Sequence, residues 1–375
     1  MPIKPNSFFE TLVKHNVDFY AGVPDSLLKQ FCLCVDDNVA EDRHVITANE
    51  GNAIALAAGY HLASGKLPLV YMQNSGLGNT VNPLLSLCDP DVYSIPMLLL
   101  IGWRGEPGVH DEPQHIKQGK VQLKLLDSID IPYEIISKDD DQFDMKISNA
   151  VDTATKEYKP FAIIVKKGSF DTYKSSSVTI DDKLMTRENS LEIILNNLPE
   201  NSIIVSTTGK TSREIFEIRE REGQSHNKDF LTVGSMGHCS SIALGIAIAK
   251  PEKKIICIDG DGALIMHMGS LSTVGKLKPT NFYHILINNQ VHESVGGQAT
   301  SAKFIDISAL VKSNGYKNVL FSDHHEELTS QIVKLLNQSG PSFLEVFVKP
   351  GSRDNLGRPS IKPKDNKNAF MNFLQ

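Results

Sequence analysis

Cysteine is scarce in this chain: five residues in 375, and an odd number of them. Cys32 and Cys34 stand too close together for a zinc half-site of the usual spacing, so the thiols read as reduced ones of an intracellular compartment. Excess charge of one sign is missing too. Lys and Arg total 38 against 44 Asp and Glu, a formal net charge of −6. A nucleic-acid coat or a basic membrane-surface protein needs a concentrated positive face, which this balance disfavours. Long apolar runs are absent. The longest, around Ile95 to Gly102, is far short of the ~20 residues that span a bilayer. The opening residues, Met1 to Leu12, lack the apolar core of a signal peptide. These absences predict a soluble cytoplasmic protein with neither nucleic acid nor membrane as partner.

What is present is an alternation. Short apolar runs at Asp18–Ala21, Val45–Thr47, Leu67–Met72, Met97–Ile101, Tyr133–Ile136 and Phe161–Val165 are separated mostly by segments with helical spacing, such as Glu50 to Ala63. Asn6 and Ser7 can cap a first helix. Buried strands joined by crossover helices predict a parallel sheet covered on both faces. After Phe170 the chain turns polar through Lys174-Ser175-Ser176-Ser177 and Asp181-Asp182-Lys183. A linker over 171–186 is therefore expected between domains 1–170 and 187–375, in keeping with about 150 residues per domain. The alternation then restarts at Leu191–Leu195, Ile203–Ser206, Ile242–Ile248, Ile255–Ile258, Phe282–Ile287, Ile332–Leu336 and Phe343–Val348. Ile54-Ala55-Leu56-Ala57 and Ile242-Ala243-Leu244-Gly245, 188 residues apart, each open a small-residue helix leading to an apolar strand. The expectation is α/β: two doubly wound, mainly parallel domains of similar build, with ligands at the strands' carboxyl ends. A chance likeness of two small-residue helices is the plainer alternative.

The second half carries the densest chemistry. Gly260-Asp261-Gly262 ends one predicted strand, and twenty-five residues later Asn288-Asn289 ends the next. Glycines beside a carboxylate let backbone N–H groups approach phosphate oxygens, and a helix expected to start near Ala263 adds its positive end. A carboxylate with an amide oxygen from the neighbouring strand is a hard donor pair of the kind Mg²⁺ takes. On its own a Gly-Asp-Gly is usually just a tight turn; the paired asparagines one strand on make that reading weak.

This pairing resembles the thiamine diphosphate motif of the 2-oxoacid decarboxylase superfamily, and the likeness spans nearly the whole chain. It implies that Asp261, Asn289 and the Val291 carbonyl hold Mg²⁺ and that Gly260, Gly262 and Ala263 face the diphosphate. Thr208 and Gly209, after the Ile203–Ser206 strand, can contact the same group or form a plain strand-to-helix turn. Val233-Gly234-Ser235-Met236-Gly237 resembles the loop that holds the aminopyrimidine, with the Gly234 carbonyl on its amino group and Met236 bending the cofactor. Met236 alone would read as core filler. Ala48-Asn49-Glu50-Gly51 resembles the segment of the activating glutamate, so Glu50 would exchange a proton with the pyrimidine ring. Without the other motifs Glu50 is a first-turn helix acid.

The superfamily usually has a third, central domain, for which no room remains here. That narrows the likeness to the short members, which include phosphonopyruvate and sulfopyruvate decarboxylases. Three stretches agree: Gly102 to His115, His292 to Gln298, and Pro350 to Pro359. The resemblance implies a 2-oxoacid substrate with a second anionic head, phosphonopyruvate foremost. It also implies a homodimer or higher homo-oligomer whose active sites lie between subunits. A phosphonate needs cations, preferably guanidinium groups. Arg104, Lys210, Arg213, Arg353 and Arg358 are the candidates, with Arg353 and Arg358 foremost and Arg104 in reserve; those two lie in a basic tail that otherwise reads as solvated. His110 and His115 are candidate proton donors, or hydrogen-bonded structural histidines. Sulfopyruvate decarboxylase and a carboligase remain rivals. A nicotinamide dehydrogenase would show Gly-x-Gly-x-x-Gly after the first strand, where Gly22-Val23-Pro24 stands instead. A non-catalytic cofactor-binding regulator would have little use for Glu50.

Overall fold

The computed structural model describes residues 1–175 and 183–375. It divides into two compact units, Met1–Val178 and Thr179–Gln375. The expected linker, 171–186, lies partly outside the described residues.

The first unit holds strands β1 (Tyr20–Gly22), β2 (His44–Ile46), β3 (Leu69–Gln73), β4 (Leu98–Gly102), β5 (Tyr133–Ile136) and β6 (Phe161–Val165). They form one sheet in the order β2-β1-β3-β4-β6-β5, every pairing parallel. Strands β4 and β6 are apolar at nearly every position because both faces are covered. On one face Tyr20, Tyr71, Leu100 and Ile163 pack with Phe8, Leu12 and Phe31. On the other Val70, Met72, Leu99 and Ile164 meet Ala53, Ile54, Ala57 and Ala58. The last four come from the helix Glu50–Ser64, whose N-cap Asn49 accepts the Asn52 N–H at 3.0 Å.

The second unit holds β7 (Ile203–Ser206), β8 (Asp229–Leu231), β9 (Ile255–Gly260), β10 (Phe282–Asn288), β11 (Asn318–Ser322) and β12 (Ser342–Phe347). Their order, β11-β12-β10-β9-β7-β8, again parallel throughout, is the strand order of the first sheet read from the other edge. Ile204, Ile256, Ile258, Ile285 and Leu344 build the core on one face with Leu191, Ile194, Ile215 and Leu335. The opposite face of β9 and β10 carries Cys257, Asp259 and His284 instead.

Five elements differ from expectation. Strands β8 and β11 were not anticipated; both are sheet edges, where one flank is unpaired and the apolar signal fades. The first helix, Pro5–Lys14, starts at a proline whose fixed φ suits that position, with no side-chain cap. The helix after the Gly-Asp-Gly turn starts at Asp261 rather than near Ala263. The tail also contains a helix, Pro363–Leu374, with Phe370 buried against Phe230. Among the described residues no helix is long and apolar enough to cross a membrane.

Candidate active site

In a doubly wound sheet ligands gather at the strands' carboxyl ends, where the strand order reverses. In the second unit that point lies between β7 and β9. It brings together the turn Thr207-Thr208-Gly209, the Gly260-Asp261 junction and, from β10, Asn288-Asn289. Asp261 is 4% exposed, and its Oδ2 accepts a 2.5 Å hydrogen bond from Thr300 Oγ1. Burial pushes its carboxyl up to about 6, although the Thr300 hydroxyl and the Gly262 and Asn289 backbone N–H groups favour the charged form. No protein cation pairs with it among the described residues.

Asn289 is held from both ends of its amide. Its Nδ2 donates to Glu293 Oε2 at 2.9 Å, and its Oδ1 accepts the Val291 N–H at 3.1 Å. Asn288 closes a similar turn with the Gln290 N–H at 3.1 Å while its Nδ2 donates to Glu345. Gln290, at φ 59°, makes the bend that sets Val291 beyond the strand end. A buried, unneutralised carboxylate, an oriented amide oxygen and a main-chain carbonyl are three hard oxygen donors, a set that fits Mg²⁺.

The loop after β8 packs on this motif. A Cβ placed on Gly262 would lie 3.4 Å from Met236 Cε and 3.2 Å from His292 Cε1. Gly237, at φ 83°, approaches the Ala263 carbonyl so closely that a Cβ would sit 2.9 Å from its oxygen. Gly234 and Met236 are half-buried in that loop. Gly209, at φ 98°, precedes the helix Lys210–Arg221, and the Thr207 hydroxyl beside it is buried without a protein partner among the described residues. An anion at this turn would meet the helix's positive end. Glu293 accepts from Arg187 at 2.6 Å and Lys210 at 2.7 Å as well as from Asn289. Burial is the largest influence on Glu293 and would raise its carboxyl, but the two cations hold it below the ordinary range.

The first unit has a cluster of its own. Glu50, 5% exposed at the start of its helix, accepts a 2.7 Å hydrogen bond from Asn79 Nδ2. It lies flat against Gly76, where a Cβ would stand 2.2 Å from Oε1. Past the end of β4, Arg104 gives its fork to Asp111, Nε at 2.7 Å and Nη2 at 2.5 Å, and its Nη1 to Ser26 at 3.0 Å. Burial would raise Asp111, yet this guanidinium and the Gly105 N–H bring it down to about 2. Burial, and then Arg104, depress His115 to about 4, so its ring is neutral at pH 7. Its Nδ1 is buried with no partner among the described residues. His110 is exposed on the preceding loop.

Asp25 escaped the sequence reading, which took its turn only as the end of a strand. It is fully buried past β1 and accepts from Gln73 Nε2 at 2.7 Å and the Leu27 N–H at 3.0 Å. Burial pushes its carboxyl up. Glycine at 102 makes room for it, since a Cβ there would fall 2.0 Å from Asp25 Oδ2. Thr300, Glu293 and Arg187 were missed likewise.

The tail arginines lie elsewhere in the second unit. Arg353 Nε donates to Glu188 at 2.9 Å and its Nη2 pairs with Glu217, within a cavity of about 490 Å³ also lined by Glu192 and Arg221. Arg358 is exposed. Before it, Gly357 donates its N–H to Glu217 at 2.6 Å, and Arg213 holds the Leu356 and Gly357 carbonyls at 2.8 and 2.6 Å.

Residues 6–127 match the thiamine pyrophosphate enzyme family's N-terminal TPP binding domain, and residues 207–346 its C-terminal TPP binding domain. Over 369 residues the chain is 33% identical to phosphonopyruvate decarboxylase of Streptomyces viridochromogenes, covering 94% of this chain and 90% of that one. It is 27% identical over 388 residues to sulfopyruvate decarboxylase of Methanosarcina acetivorans, 98% and 95% being covered. A half-length relative, sulfopyruvate decarboxylase subunit beta of Methanococcus maripaludis, is 32% identical over 192 residues, 51% of this chain and 98% of that one. The chain belongs to the thiamine pyrophosphate enzyme family. Within it, the activity is decarboxylation of the phosphonopyruvate and sulfopyruvate type.

Proposed function

We propose that the chain decarboxylates 3-phosphonopyruvate to phosphonoacetaldehyde and CO₂, with thiamine diphosphate and Mg²⁺ as cofactors. The observation that carries the cofactor reading is Asp261: a buried carboxyl that no protein cation among the described residues neutralises, at a strand end beside the Asn289 amide and the Val291 carbonyl. The substrate reading rests on the greater identity to the phosphonopyruvate enzyme, 33% against 27% for the sulfopyruvate one.

In this reading Asp261, Asn289 and Val291 hold Mg²⁺, and the N–H groups around Thr208, Gly209, Gly260, Gly262 and Ala263 receive the diphosphate. Gly234 and Met236 seat the aminopyrimidine, and Glu50 holds a proton at its ring nitrogen. Thiamine diphosphate supplies the electron sink for the carbanion left when CO₂ departs. Asp25 and neutral His115, with His110, are the protein's candidates for orienting the carboxylate and moving a proton to carbon. Arg104, Arg353 and Arg358 are the candidates for the phosphonate. Arg104 and Arg353 would have to exchange a carboxylate partner for it, which favours a dianionic head over a singly charged one. The assembly proposed is a homodimer or larger homo-oligomer with active sites shared between subunits. A half-length relative that is itself a subunit supports the idea that one such half is completed by another chain.

The test is to supply phosphonopyruvate, sulfopyruvate and pyruvate to protein loaded with both cofactors, and to measure CO₂ and aldehyde release. The expected order of kcat/KM places phosphonopyruvate first. Preference for sulfopyruvate would replace the substrate assignment while keeping the chemistry.

A further inference from the structure

The face of β9 and β10 opposite the apolar core is unusual for the inside of a sheet. Cys257 and Asp259 alternate along β9, and His284 on β10 stands directly beside Cys257 in the register. Cys239, the first residue of the helix Cys239–Ala249, lies over them. Exposure is 1% at Cys239, 0% at Cys257, 1% at Asp259 and 0% at His284. Buried polar groups are ordinarily hydrogen-bonded, because leaving one bare costs on the order of 1–3 kcal/mol. Here Asp259 Oδ2 and His284 Nε2 have no hydrogen-bond partner among the described residues, and they face each other at 3.4 Å.

The distances have a simple interpretation. In a tetrahedron the ligand-to-ligand edge is about 1.63 times the metal–ligand distance. For Zn²⁺ that gives ~3.8 Å between two sulfurs and ~3.3–3.4 Å between a nitrogen and an oxygen. The two thiol sulfurs stand 3.8 Å apart, and the His284 and Asp259 atoms 3.4 Å. Ligand atoms of Cys239, Cys257 and Asp259 all lie within 4.8 Å of one another. The outer contacts fit as well. Asp259 Oδ1 is tied to the Gly260 N–H at 2.8 Å, which turns Oδ2 inward. His284 Nδ1 lies 3.1 Å from the Tyr316 hydroxyl, so as an N–H donor to that oxygen it leaves Nε2 free for a metal.

We propose that Cys239, Cys257 and Asp259, with His284 Nε2 drawn in from beside Asp259 as the fourth ligand, form a closed, structural Zn²⁺ site in the second unit, separate from the oxygen-only magnesium set. Binding displaces the protons held by the two cysteines and by His284 Nε2 into solvent, and no electron changes hands. The site would tie β9, which leads into Asp261, to the helix that follows the Met236 loop. The proposal does not depend on the substrate, or on Asp261 being a magnesium ligand.

The experiment uses full-length protein purified under reductant, dialysed against Mg²⁺, and analysed for metals by mass spectrometry. About one zinc per chain is expected, with less than about a tenth of that in Cys257→Ala and Asp259→Asn. Asp261→Ala should keep its zinc, which separates this site from the proposed magnesium site. Should the first two variants fail to fold, wild-type protein stripped by a strong chelator and titrated with Co²⁺ gives an independent reading. The expected result is one equivalent of the intense thiolate–cobalt absorption of a tetrahedral site, displaced by Zn²⁺. Wild-type protein with neither zinc nor that absorption would overturn the proposal. So would a Cys239–Cys257 disulfide, read as three alkylated thiols rather than five in denaturant without reductant.

Discussion

Asp261 has an electrostatic signature that can be measured. Its carboxyl is raised from an ordinary 3.8 to about 6 in the folded chain. Folded, metal-free protein therefore binds this proton more tightly than the unfolded chain does. The stability this provides is full below about pH 4 and is lost as pH rises through about 6, an effect of about 3 kcal/mol. Magnesium needs the ionised form, so its apparent affinity should weaken on acidification below about pH 6. Asp261→Asn should remove this group's share of the pH slope of the metal-free melting temperature and abolish Mg²⁺-dependent retention of thiamine diphosphate. Retention with unchanged magnesium dependence would take Asp261 out of the site. For Glu50→Gln the expected phenotype is different. The cofactor stays bound, but exchange of the thiazolium proton, followed by NMR after acid quench, slows by roughly 10²–10⁴-fold.

At this scale the sequence was readable where chemistry is local. A Gly-Asp-Gly turn and an Asn-Asn pair mark strand ends by themselves, and Glu50 begins a helix behind its own cap, Asn49. Pairings across the fold were not readable. Nothing near Arg104 in the sequence says that Asp111 occupies its fork rather than a substrate, and nothing near Arg353 announces Glu188 and Glu217. Asp25 becomes conspicuous only when β3 and β4 bring Gln73 and Gly102 beside it. The cysteine spacing inspected in the sequence was Cys32 to Cys34. The pair that meets is Cys239 and Cys257, on a helix and a strand.

Among the elements, two glycines separate site architecture from scaffold. At Gly76 an added methyl group would meet the Glu50 carboxylate, a side chain that can be displaced. At Gly275, in the helix Ser270–Leu277, it would fall 1.4 Å from the Asn314 carbonyl oxygen, which is backbone. Gly275→Ala should therefore cost about 1–3 kcal/mol or more of stability by overpacking. Gly76→Ala should lower kcat far more than it shifts the urea midpoint. Equal effects of the two substitutions on both quantities would mean that Gly76 does not set the position of Glu50. Central strands were legible because burial on both faces leaves an unbroken apolar run. The edge strands β8 and β11 were not, being short or only partly buried.

For the whole molecule, the shared-site proposal has a direct consequence. Mixing Asp261→Ala chains with Glu50→Gln chains in equal amounts should give hybrid dimers with one undamaged site each. About a quarter of wild-type activity should return after subunit exchange. No recovery, with exchange confirmed by mass spectrometry, would place each site within one chain.

Each sheet completes its own strand order, and the two orders are the same. Each unit also has a hydrophobic core of its own. Each half therefore carries the information for its own sheet and core, and joining the two halves in one chain has a different consequence. That consequence is dosage: one translation event delivers the two halves in strict one-to-one ratio. A version encoded as two polypeptides would have to match their supply by regulating expression.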